Sequence, residues 1–162
     1  MRLCEFAIPG IRERKWHHPS LTQFASPLTA GKILNLKIDQ LINAVGIAAS
    51  HNFTPGAVTA GKLTMMKNTV DPMAVQAGLI GALLALKGYQ GPQHIIDGKE
   101  GFTDTFGGTF DLDLLSKGLS NTYRINRCSM KAFPTEALTH SPISAVIKLM
   151  KENAIDKKSI AE

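Results

Sequence analysis

The chain has 162 residues and a mass of 17.5 kDa, enough for one domain or one and a fraction. Hydrophobic residues make up 44% and charged residues 19%, which excludes a disordered chain. The net charge is +5, and the 18 Lys and Arg are scattered rather than gathered into a nucleic-acid stripe.

Aromatic residues are only 6%, which argues against stacking platforms for single strands, so no nucleic-acid partner is expected. Cys4 and Cys128 form no CxxC and no zinc-ligand spacing, and such cysteine poverty reads as cytoplasmic with reduced thiols. Residues 1–8 contain Arg2 and Glu5 and lack the apolar stretch of a signal peptide.

Residues 20–36 read as a helix that Pro27 should kink or divide. Asp39 is expected to cap a second helix through about Ser50, with Leu41, Ile42, Val45, Ile47, Ala48 and Ala49 as its apolar stripe. Residues 51–68 hold Pro55, Gly56 and Gly61 without a sustained period and read as a long loop. Asp71-Pro72 reads as the start of a third helix, N-cap then proline, and Gly88 as its stop. Its apolar run, residues 73–86, is shorter than the roughly 18 residues of a membrane span. It is expected to be buried on nearly all sides, and no membrane partner is expected.

Short helical turns are expected at residues 92–97 and around Phe102, within a segment that holds Gly91, Gly98, Gly101, Gly107 and Gly108. Residues 123–133 partly alternate and suit a strand, and Ser141-Pro142 opens a last helix to about Lys151. The order of elements, helices first and a mixed segment after, points to an α or α+β class. The many small residues in the helices permit close helix approach.

Three places carry candidate chemistry. His17 and His18 precede Pro19 at a helix start, where they read either as a proton donor near an anion site or as a surface-loop pair. Their adjacency is not the i, i+4 spacing of a helical metal pair, so no metal is expected. Lys62 and Lys67 lie in the glycine-bearing loop, where a lysine can hold a carboxylate or simply be solvated. Lys131, Glu136 and His140 surround Phe133-Pro134, and the helix opening at Ser141 would add free N–H groups to an anion-binding corner. His140 can equally be a helix-start residue packing beneath that turn.

The segments KWHHPSLTQFASPLTAGKILNL, INAVGIAAS, AVQAGLIGALLALKGYQGP and KAFPTEALTHSP, in that order, resemble the MmgE/PrpD family. That family includes 2-methylcitrate dehydratases, cis-aconitate decarboxylases and an iminodisuccinate epimerase. The resemblance implies a mainly α chain: part of an all-helical domain over residues 1–122, then the beginning of an α+β lid domain over residues 123–162. It implies an active site between the two domains, where His18, Lys67 and Lys131 converge.

Residue by residue, His18 matches the family's histidine before a proline, and Lys67 its lysine ahead of the long apolar helix. Lys131 matches the lysine of the K-x-[FY]-P motif, and His140 the histidine after it. His18, Lys67 and Lys131 are therefore the expected catalytic residues, with His140, Glu136 and His17 as substrate contacts. The resemblance further implies a lyase of propionate-type metabolism, acting without metal or organic cofactor on a di- or tricarboxylate. In its full-length form it would be a homodimer.

Glu136 stands where some decarboxylases carry histidine, which leans toward 2-methylcitrate dehydration over cis-aconitate decarboxylation or epimerisation of a substituted succinate. Family members are longer at both ends. The expectation is therefore an internal or truncated piece, alternatively a non-catalytic fragment, with little or no activity alone.

Overall fold

The computed structural model describes residues 2–160. They form two compact units, divided between Thr122 and Tyr123.

The first unit is built on three helices. A short helix α1 (Arg2–Glu5) and a two-residue strand β1 (Ala7–Ile8) precede them. Helix α2 (Pro19–Ile33) opens with proline at its first position, where the missing N–H removes a donor that would have no partner. Pro27 lies inside α2 and does not divide it. Its ring is fully buried, and Ser26 beside it donates from Oγ to the carbonyl of Ala74 at 3.2 Å. Packing thus holds both halves of the helix in line. The helix ends at Ile33, three residues before the expected end at Leu36, and Asn35, at φ 54°, turns the chain away.

Helix α3 (Ile38–Ala49) begins one residue before Asp39, so Asp39 is not its cap. The Lys37 N–H instead donates to Gln40 Oε1 at 3.0 Å, while Asp39 sits in the first turn facing the positive end of the helix dipole.

Helix α4 (Met66–Leu86) begins five residues before Asp71, so Asp71-Pro72 is not its start and Lys67 is not a loop residue. The side chain of Asp71 is engaged by α2 rather than by its own backbone. Gly88, at φ +87°, ends α4 as expected, and the Tyr89 N–H returns to the Leu84 carbonyl. At 21 residues α4 is long and apolar enough to cross a membrane by length and composition. Its buried face consists of Val70 and the small residues Ala74, Ala77, Gly78, Gly81, Ala82 and Ala85, packed on α2 and α3.

The expected burial on all sides does not occur. Two neighbouring helices cover only one face, so Leu79, Ile80 and Leu83 remain nearly half exposed.

Small residues set the helix spacing. A Cβ at Gly78 would fall 2.7 Å from Pro27 N and closer still to Ser26 Oγ. A Cβ at Gly81 would fall 2.7 Å from the Ala44 carbonyl oxygen. At the opposite side of α2 an aromatic cluster joins Phe6, Trp16, Phe24, Phe53, Phe102 and Phe106. Helix α5 (Phe102–Thr105) fulfils the expected turn at Phe102. Strand β2 (Thr109–Phe110) pairs antiparallel with β1, and helix α6 (Asp113–Ser116) follows.

In the second unit residues 123–133 are not a strand: Arg124–Arg127 is a single 3-10 turn, followed by irregular chain. A partly alternating segment needs a neighbour to take up its backbone groups. Among the described residues of this unit there is no strand to serve. The Asn126 and Cys128 N–H groups bond locally to Tyr123 and Ile125 instead. Helix α7 (His140–Glu152) matches the expected last helix within a residue at each end.

Candidate functional site

His18 is the last residue before Pro19, so the helix start fixes its backbone at the end of α2. Its Nε2 lies 2.7 Å from Asp71 Oδ2 on the second turn of α4. Asp71 Oδ1 accepts from Thr22 Oγ1 at 3.2 Å. Thr22 is four residues beyond His18, so the same side of the α2 start supplies both partners of the carboxylate. The His18 and Asp71 side chains are 54% and 42% exposed, so the pair is open to a ligand.

Lys67 is exposed in the first turn of α4, four residues before Asp71 and therefore on the same helix face. His18 and Lys67, far apart in sequence, thus belong to one end of the α2–α4 pair.

His17 is buried at 6% exposure. Its backbone N–H donates to the Thr54 carbonyl at 2.8 Å, and its ring lies against that of His18 with centroids 4.2 Å apart. Its Nδ1 has no hydrogen-bond partner. Burial lowers the His17 pKa from its ordinary value, with the charges of His18 and Arg12 acting in the same direction and Asp71 opposing. A neutral, buried imidazole therefore backs the exposed one.

The remaining expected residues lie in the second unit. Lys131 is exposed in irregular chain. Glu136 Oε2 accepts from the Leu138 N–H at 2.7 Å and so caps the 3-10 turn Ala137–Thr139. His140 opens α7 and packs edge-on against Phe133, with ring centroids 5.4 Å apart. This is the packing beneath the proline turn that its position allowed. Within this unit the structure brings His140 and Phe133 together, while Lys131 and Glu136 stay at the surface.

Asp71 and Thr22 were not found from the sequence. Asp71 in front of Pro72 carried the pattern of a helix cap, which masked its availability to another helix. The four-residue spacings His18–Thr22 and Lys67–Asp71 were the signal, legible only once both stretches were known to be helical.

The chemistry available is that of an imidazole held by a carboxylate, with the ammonium group of Lys67 on the first turn of the helix that supplies the carboxylate: proton transfer and an anion-binding charge at one helix end. A cavity of about 710 Å³ elsewhere in this unit, lined largely by apolar side chains such as Phe24, Leu28, Ile42, Val45, Ile96 and Leu115, includes none of these residues.

Comparison with known proteins places this geometry in context. Residues 1–115 match the model of the MmgE/PrpD N-terminal domain. Cis-aconitate decarboxylase of Aspergillus terreus is 28% identical over 134 residues, covering 78% of this chain and 27% of that protein. The cis-aconitate decarboxylase-like protein oryM of Aspergillus oryzae is 30% identical over 151 residues, covering 87% and 30%. Human cis-aconitate decarboxylase is 28% identical over 141 residues, covering 85% and 28%. The chain thus spans less than a third of the length of each of these relatives.

Proposed function

We propose, since this chain belongs to the MmgE/PrpD family, that it supplies a proton-transfer group of a lyase acting on a di- or tricarboxylate. The observation that carries the reading is the position of His18, exposed and tied to the N-terminal turns of α4 that also present Lys67. Lys67 binds a substrate carboxylate and offsets the negative charge that builds up on the neighbouring carbon. His18 gives or takes the proton at that carbon.

The names of the relatives favour decarboxylation of an acid like cis-aconitate. In that reaction the bond to one carboxylate breaks and carbon dioxide leaves. Its electron pair moves through the adjacent double bond, and His18 protonates the carbon where the charge arrives. The second reading, dehydration of an acid like 2-methylcitrate, is favoured by Glu136. There a base removes a proton beside a carboxylate and hydroxide leaves the next carbon.

The test uses a polypeptide of the relatives' length that carries this segment, with cis-aconitate and 2-methylcitrate as substrates and products read by NMR. Loss of carbon dioxide or of water separates the two readings. His18→Gln and Lys67→Ala should each lower turnover on the order of ten- to a hundredfold, and Lys62→Ala should have little effect. Full activity in His18→Gln, or equal effects of the two lysine substitutions, would overturn the assignment.

A further inference from the structure

We propose that Asp71 is a positioning residue for His18, holding the neutral imidazole as its Nε2–H tautomer and leaving Nδ1 as the nitrogen that exchanges the proton. This assignment of the reacting nitrogen rests on the lyase reading; the tautomer itself does not.

An ionised carboxylate only accepts hydrogen bonds, so the contact between Asp71 Oδ2 and His18 Nε2 at 2.7 Å requires a hydrogen on Nε2. The distance is that of a charge-assisted bond rather than of a casual approach. The carboxylate is itself oriented, because its other oxygen accepts from Thr22 Oγ1 at 3.2 Å. Asp71 is therefore bound to His18 at the N-cap of α2 and to Thr22 within it, and cannot rotate without losing one of them.

The other face of the imidazole is constrained as well. The buried ring of His17 lies 4.2 Å from it, centroid to centroid. His17 is fixed in turn by its backbone bond to Thr54.

These contacts settle the division of labour between the ring nitrogens. Nε2 faces α4 and is occupied. In the neutral ring Nδ1 then carries the lone pair, on a side chain 54% exposed. A proton taken from substrate arrives at Nδ1, and the resulting imidazolium is stabilised by the Asp71 carboxylate on its far side. A proton given to substrate leaves from the same nitrogen, and the tautomer is restored without a ring flip. Asp71 touches no reacting atom in this scheme. Its contribution is the correct tautomer and a fixed ring.

The experiment is long-range ¹H–¹⁵N correlation NMR on the ¹⁵N-labelled chain above the pH at which its histidines are neutral. The His18 signals are identified by their loss in His18→Gln. The expected result is an Nε2–H ring in the wild-type chain, and a shift toward Nδ1–H in Asp71→Asn, whose amide can donate to Nε2. Asp71→Ala should give a mixture. An Nδ1–H ring in the wild type, or the same tautomer ratio in all three proteins, would overturn the proposal.

In the longer polypeptide Asp71→Asn should lower kcat tenfold or more with little change in KM. If the tautomer shifts as expected while the wild type turns over no tricarboxylate, the role of Asp71 stands and the lyase reading falls.

Discussion

Replacing Gly78 by alanine separates the packing of α2 on α4 from the helix propensity of either. The added Cβ would lie 2.6 Å from Ser26 Cβ and 2.7 Å from Pro27 N. Restoring ordinary carbon contact requires the helices to part by about 0.8 Å. Pro27 N is backbone, so no side-chain rotation relieves the clash. Overpacking of this kind costs about 1–3 kcal/mol, whereas alanine in place of glycine within a helix contributes about 1 kcal/mol the other way. The net expectation is a loss of about 0–2 kcal/mol, centred near 1 kcal/mol, a fall in Tm of about 3 °C.

The same displacement has a consequence at the site. His18 is at the start of α2 and Asp71 is on α4, and their contact of 2.7 Å tolerates little separation before it leaves hydrogen-bonding range. Gly78→Ala should therefore weaken the His18–Asp71 bond about two helical turns away. Thermal and urea unfolding followed by circular dichroism, with His18 monitored by NMR, tests both effects. Gln76→Ala on the exposed side of α4 is the control for propensity. A Gly78→Ala chain as stable as wild type, with the His18 signals unmoved, would show that the crossing at Gly78 is not close enough to govern either property.

Two further outcomes follow from burial. His17 has a folded pKa below its ordinary 6.5, so the unfolded chain takes up the proton first. Its contribution is thus fully present above about pH 6.5 and is lost as pH falls through the folded value. His17→Gln should flatten the dependence of Tm on pH between about 7.5 and 5, and an unchanged slope would refute the assignment. The exposed face of α4 should bind a hydrophobic dye and drive the chain to sediment above its monomer mass, with Leu79→Gln and Leu83→Gln together reducing both. A monomer indifferent to the dye would count against that face being free.

How much of this was legible in the residues follows from the range of the forces involved. Pro19 after a polar stretch, Gly88 after an apolar one and Ser141-Pro142 are local signals, because a missing N–H or a positive φ acts within a turn of helix. The helix ends near these residues were accordingly readable. So was the close approach of the helices, since only small side chains permit it and Gly78 and Gly81 are in the sequence. Family membership was also legible, in the order of short motifs that no single one of them determines.

Tertiary structure decided where local signals competed. Asp71-Pro72 has the pattern of a helix start, yet the carboxylate binds His18 and Thr22 and the helix begins at Met66. Pro27 should break a helix, yet its buried ring keeps α2 whole. The alternating residues 123–133 form no strand, since a strand exists only with a partner for its backbone groups. His17 and His18 are adjacent and chemically identical in the sequence. Packing against the Thr54 segment buries the first, and the crossing of α2 and α4 gives the second its carboxylate. A side chain's own chemistry is written in the sequence. Its protonation, tautomer and partner depend on residues dozens of positions away, brought within 3 Å only by the packing of helices.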